Sequence, residues 1–243
     1  MTSAFLRRRA GVHAGLLLGL ALIGGCATAP GPRSAQDPFE PWNRGVFSFN
    51  ESLDKNVLKP VATGYVNAVP EIARTGIHNF FGNFADAWSA VNSLLQGKVG
   101  NGVSDLMRVA TNTTLGLGGL IDWATELRIG RYPEDFGQTL GVWGAGDGPY
   151  VVWPLFGSST VRDSFALPLD VTGASPAVGT TYVRFGLGVL QIVDIRANLL
   201  GAGGVLDDAV LDKYTFVRDA HLQRRRSLIY DGDPPPLPEQ PNP

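Results

Sequence analysis

Apolar residues recur along this chain mostly in steps of three and four, the period of a helix with one dry face. Val46, Phe49, Leu53 and Val57 keep that step and predict a helix behind Pro38 and Pro41. Asn43, Asn50 and Asp54, seven and four apart, share an adjoining stripe, and Phe47 lies beyond it. Aromatics therefore flank a polar stripe on both sides. Two readings stand: a helix in a soluble core with a satisfied polar seam, or a helix lining a polar passage with greasy flanks. Pro60 and Pro70 punctuate the next stretch, and residues 72–77 read as a short helix. Phe80, Phe84, Trp88, Val91 and Leu95 form a further stripe, consistent with core packing or with membrane contact. Gly97 ends it. Val99, Val103, Leu106 or Met107, and Ala110 mark another helix, and Asp122 is placed to cap a short turn through Trp123.

The middle of the chain changes character. Residues 131–150 are dense in turn signals, and residues 151–156 read as extended or irregular because Pro154 restricts its neighbour. Ser158, Ser159 and Thr160 offer a helix cap, whereas residues 163–170 read as a greasy loop. A long, glycine-jointed apolar segment of this kind suits a gate, a partner clasp or a membrane-dipping hairpin, with a rigid active-site loop as the alternative. Helical period returns at Val178, Tyr182, Phe185, Val189 and Ile192, then over residues 205–211 and 214–229. The fold class is all-α. Each apolar segment is short for a membrane span but suited to lying in the interface plane.

Composition adds an address. Arg7, Arg8 and Arg9 precede an apolar run that closes on Ala21-Leu-Ile-Gly-Gly-Cys26, the pattern of a secretion signal ending at a lipidated cysteine. Small residues admit the peptidase, and the thiol is the acylation nucleophile. The expected organisation is a signal peptide at 1–25, a lipidated tether at 26–37, a helical domain at 38–229 and a polar, proline-rich tail at 230–243. Ala27, where an aspartate favours inner-membrane retention in enterobacteria, permits export to the outer membrane. Processing leaves 17 basic and 22 acidic side chains, a balance that argues against a nucleic-acid partner. The single cysteine excludes an internal disulfide.

Catalytic patterns are thin. Gly144, Gly146 and Gly148 lack the G-K-[ST] ending of a phosphate loop, and Pro149 follows them. There is no G-x-S-x-G and no H-E-x-x-H. Glu134 and Asp135 are adjacent rather than facing. No enzyme activity, cofactor or metal is expected.

Several motifs taken together are specific. Asp37-Pro-Phe-Glu-Pro-Trp-Asn-Arg44, followed by Phe47-Ser-Phe-Asn50, is one. Others are Arg131-Tyr-Pro-Glu-Asp-Phe-Gly-Gln-Thr-Leu-Gly-Val-Trp-Gly144, Gly148-Pro-Tyr150, Leu155-Phe-Gly157, Val161-Arg-Asp163 and the run from Asp212 to Arg224. With them the chain resembles the MlaA/VacJ family of outer-membrane lipoproteins over residues 37–226. The resemblance implies a single ring-like helical domain, with amphipathic helices lying in the periplasmic side of the outer membrane and a glycine-rich hairpin or loop near a central channel. It implies removal of mislocalised phospholipid from the outer leaflet, delivery to a periplasmic carrier of the Mla type, and, for some members, association with a trimeric porin. Cys26 is then the lipid anchor. Asn43, Asn50 and Asp54 are candidates for polar lining, Phe47 and Phe49 for bracing or gating it, and Gly141, Gly144 and Gly148 for the joints of the gate. Arg162 and Asp163 are expected to lock this region structurally. The physics is coherent, because a charged headgroup loses its water in hydrocarbon and a polar passage replaces that solvation. The alternatives are a non-transporting lipoprotein that scaffolds porins or binds lipid, and a lipid hydrolase.

Overall fold

Pro41 sits in the first turn of the first helix, where a missing N–H breaks no bond. In the computed structural model, which describes residues 36–201 and 212–236, this helix is α1, Glu40–Leu53. The expected break at Pro60 is a wider turn instead. A π-helical segment, Asp54–Leu58, leads into α2, Lys59–Ala68, with the Lys59 N–H bonded to the Asp54 carbonyl. Pro60 has no N–H for an α-turn, and the wider winding accommodates its ring. Pro70 caps α3, Glu71–Leu95, a single helix of 25 residues that absorbs the short helix expected at 72–77. Gly76 and Gly82 cost roughly 1 kcal/mol each against alanine, too little to divide a helix packed along its neighbour.

Gly97 ends α3 in the left-handed region, at φ 77°. Next come α4, Val99–Thr114, and α5, Trp123–Glu126, whose cap is the Asp122 side chain. Helix α6, Phe136–Val142, is capped by Asp135. Strands β1, Tyr150–Trp153, and β2, Gly157–Thr160, form an antiparallel hairpin with Tyr150 opposite Thr160 and Trp153 opposite Gly157. Thr160 caps α7, Val161–Gly173. The loop expected at 163–170 is therefore helical. Pro168 removes only the bond to the Ser164 carbonyl, while the Thr160 cap and Asp163 in the first turn favour winding. Helices α8, Thr181–Asn198, and α9, Lys213–Ile229, complete the described elements. The lipid anchor at Cys26 and the helix expected at 205–211 lie outside the described residues.

The principal contacts run in a circuit. Helix α1 packs on β1 and winds through the π-turn into α2; α2 packs on α8, and α8 on α3. Helix α3 packs on α4, α6 and α7; α6 packs on α9; and α9 returns to β2. This annular order suits a chain with little dry interior. Among the described residues nine hydrophobic side chains are buried against 17 polar or charged ones, while 38 large hydrophobics are exposed. Helix α4 shows the inversion within one element. Gly102, Asp105, Arg108 and Asn112 recur at helical spacing and are buried, whereas Val99, Val103, Leu106 and Met107, the stripe that revealed the helix, face outward. Among the described residues no helix is long and apolar enough to cross a membrane.

Candidate functional site

Asn43 and Asn50 stand two turns apart on one face of α1, and both reach the same strand. The Asn43 amide donates to Asp37 Oδ1 at 2.8 Å and to the Tyr150 carbonyl at 3.0 Å, and its Oδ1 accepts the Val152 N–H at 2.8 Å. Asn50 donates to the Trp153 carbonyl at 2.9 Å and accepts the Leu155 N–H at 2.9 Å. Two asparagines thus substitute for a neighbouring strand along the free edge of β1. Asn43 is completely buried, so the structure places it inside this bracket rather than against open space. Asn50 is partly exposed.

Behind the bracket lies the small apolar core: Val46, Tyr150, Val152 and Tyr214, with Phe47 and Leu222 against it. Phe47 meets Tyr214 edge-on at 5.7 Å. The Tyr214 hydroxyl donates to Asp37, which Arg218 also contacts at 3.3 Å. Burial first, then the Asp37 carboxylate, push the Tyr214 phenol far above its ordinary pKa. Phe49, by contrast, is 53% exposed. Asp54 is bound through both oxygens by Arg196 of α8, at 2.5 and 2.9 Å. Nearby, His78 Nδ1 lies 2.9 Å from buried Asp194, which also holds Asn198.

The glycine-rich segment joins α6 to the hairpin. Gly141 lies within α6, and a Cβ there would come 3.0 Å from Arg162 and Ile229. Gly144 has φ 96° with open space beside it, and Gly148 has φ 67° close against Val161. Arg162 locks the segment: it pairs with Asp147 and Asp163, and its own N–H donates to the Asp147 carbonyl. At the hairpin tip Leu155 and Phe156 are exposed, and Leu155 holds φ 69°, a strained value for a branched side chain.

A second polar interior lies between α3, α4 and the chain that follows them. Arg108 bonds Asp86 at 3.1 Å, Asp122 at 3.0 Å and the Ile129 carbonyl at 2.9 Å. Arg131 joins Asp86 from outside at 2.5 Å. Asn112 donates to Asp122 and accepts the Ala124 N–H. Burial raises the Asp105 carboxyl to about 6, opposed by the Tyr132 N–H that it accepts. Hydrogen bonds from Thr125 and Asn112, against burial, hold Asp122 at about 2.

The candidate residues therefore divide. Asn43, Asn50 and Phe47 gather at the hairpin; Asp54 sits across the π-turn against α8; Gly141, Gly144 and Gly148 articulate the segment that Arg162 pins. Sequence reasoning missed Asp37, Tyr214 and Arg218 as a unit, and Arg196 as the partner of Asp54. Their one signal was the acid–base pairing available between distant motifs, which fixes no geometry.

Comparison with known proteins fits this architecture. The family model described as MlaA lipoprotein matches residues 35–228. The intermembrane phospholipid transport system lipoprotein MlaA of Escherichia coli K12 is 37% identical over 234 residues, 93% of this chain and 92% of its own length. Its Haemophilus influenzae counterpart is 32% identical over 226 residues, 89% of each chain. A solved chain from work on the structural basis for maintenance of bacterial outer membrane lipid asymmetry superposes with a TM-score of 0.70 at 38% identity. That likeness covers 81% of this chain and 100% of the other. With the family model spanning nearly all the described residues and the curated relatives matched over 89–92% of their own length, this chain belongs to the MlaA lipoprotein family.

Proposed function

We infer that the chain is an outer-membrane lipoprotein at the periplasmic face that transports phospholipid and so maintains the asymmetry of that membrane. The observation that carries this is the inverted burial: among the described residues polar side chains are enclosed and 38 large hydrophobics displayed. In water such a surface is a liability; against lipid it is the favourable side. Transport needs no covalent step, because a lipid moves intact when its headgroup finds polar groups in place of water and its tails remain in apolar surroundings.

Within this reading the annulus encloses the route. Asn50, Asp54 and the α8 polar face supply its polar wall, Phe47 and Phe49 its flanks, and the segment from Gly141 through Gly148 to the hairpin tip its gate. The left-handed backbone at Gly144 and Gly148 and the open space beside Gly144 support a jointed segment. A periplasmic carrier of the Mla type takes the lipid, and a trimeric porin holds the ring in place. Cys26 anchors the chain after removal of residues 1–25, and the proline-rich tail stays in the periplasm. The deciding experiment reconstitutes the full chain in liposomes carrying labelled phospholipid and adds the carrier. Intact label on the carrier is the expected result. Lipid asymmetry that stays normal in cells lacking the protein would favour a porin scaffold, and cleaved label would favour a hydrolase.

A further inference from the structure

A cleft of about 430 Å³ opens between α3, α6, α7 and α9, within the size range of small-molecule sites. Its wall carries charges of both signs, but most are already matched. Glu134 is paired with Lys98 at 2.8 Å, and Asp135 with Arg225 at 2.5 Å. Two charges remain. Asp170 accepts the Trp88 indole N–H at 2.8 Å and the Phe136 N–H at 2.7 Å, and among the described residues no cation pairs with it. Arg224 is exposed and, among the described residues, makes no ion pair. Two buried polar atoms on the wall are also unmatched. Gln138 is 3% exposed, and among the described residues neither its Oε1 nor His221 Nε2 has a partner. Burial, and then Arg225, lower the His221 pKa, so the ring is neutral at pH 7 and accepts or donates through Nε2 according to its tautomer.

We propose that this cleft docks a zwitterionic lipid headgroup of the phosphoethanolamine class, with the phosphate toward Arg224 and the ammonium toward Asp170. One uncompensated charge of each sign on the wall of the same cleft, with unpartnered donor and acceptor capacity beside them, matches a group carrying both charges on a short linker. An anionic headgroup leaves Asp170 opposed by nothing. Trp88, Ala174 and Leu228 on the same wall offer apolar contact to the glycerol end. His221 also stands edge-on to Tyr150 of the hairpin at 6.0 Å, so a docked headgroup touches a ring that packs against the proposed gate. The lipid as ligand class rests on the transport reading; the headgroup assignment rests on the cleft.

The test is binding of short-chain phosphatidylethanolamine to the detergent-solubilised full chain, compared with short-chain phosphatidylglycerol, N-acetylated phosphatidylethanolamine and inorganic phosphate. Phosphatidylethanolamine is expected to bind about tenfold more tightly than the other two lipids. Arg224→Gln should weaken the phosphatidylethanolamine and phosphatidylglycerol lipids about fivefold, and Asp170→Asn should abolish the preference between them. Equal binding of the acetylated lipid, competition by inorganic phosphate at matching affinity, or no change in Arg224→Gln would overturn the assignment. Because acetylation alters the ligand and not the protein, the answer does not depend on Asp170→Asn folding. Transfer by the native chain without headgroup preference leaves the transport reading standing and removes this one; preferential binding without transfer does the reverse.

Discussion

The α3–α4 pair and the junction of α1 with the β-hairpin both bury asparagines against backbone, yet they are built to different ends. In the first, charges form the interior: Arg108 is held by two carboxylates and a carbonyl, and apolar stripes turn outward. In the second, aromatic rings around a single buried carboxylate, Asp37, form the interior, and neutral amides hold the edge of a strand whose far end leads into a strained, exposed tip. A buried charge network resists partial opening, because removing one member strands the others in a low dielectric. An amide bracket opens bond by bond. On the proposed transport reading, the α3–α4 pair is the rigid frame and the hairpin the part that moves.

The largest expected effect follows from that contrast. Arg108→Ala leaves Asp86 and Asp122 without their buried partner and should cost about 3–5 kcal/mol of stability. Denaturation followed by tryptophan fluorescence in detergent should show one cooperative transition, shifted for the whole domain. A local loss confined to residues 122–131 would show that the frame is not a single unit. Asn43→Ala should cost somewhat less, about 2–4 kcal/mol, since it leaves Asp37, the Tyr150 carbonyl and the Val152 N–H short of partners. Here the signature is local, with hydrogen exchange accelerating at Val152 well before the α3–α4 amides respond.

Protonation sharpens the same comparison. The native Asp105 carboxyl, raised to about 6 from an ordinary value near 3.8, binds its proton more tightly than the unfolded chain does. Its contribution to stability is therefore greatest below pH 3.8 and is lost as pH rises through about 6. Asp86 opposes its charge, while Arg108 and Arg131 soften that opposition. Asp105→Asn should stabilise the domain at pH 7.5 by about 1–3 kcal/mol, and the gain should vanish near pH 4. His221 acts with the opposite sign, its lowered pKa adding stability as pH rises toward 6.5. Thermal melts of both proteins across pH 4–8 separate the two. A gain independent of pH would mean that Asp105 does not titrate in the folded chain.

How much of this was legible follows from what a periodic pattern encodes. The spacing of Val99, Val103 and Met107 located α4, but period alone does not say whether water or lipid lies beyond the dry face. Burial of Asp105, Arg108 and Asn112 reversed the usual assumption. The Asn43–Asn50 stripe was visible, yet its partners are main-chain groups more than 100 residues away, which no side chain advertises. Residues 163–170 read as a greasy loop, yet they wind into a helix, because the Thr160 cap starts it and Pro168 forfeits only one bond. The signal and most of the tether and tail fall in residues 1–35 and 237–243, beyond those described, and the division stays with the sequence reading.

The smallest effect is the most informative about motion. Asn50 is partly exposed and holds only the Trp153 carbonyl and the Leu155 N–H, so Asn50→Ala should cost about 0.5–1.5 kcal/mol. Global stability will barely register it. Leu155, however, sits at φ 69° with Asn50 accepting its N–H, and losing that bond lets the residue relax toward an ordinary backbone conformation. Exchange at the Leu155 amide should quicken while Val152, still held by Asn43, stays protected. If the tip gates the route, the rate of labelled lipid reaching the carrier changes in the same variant, in proportion to the exchange. Faster exchange with an unaltered transfer rate would make the tip a passive apolar contact and return the gate to the joints at Gly144 and Gly148.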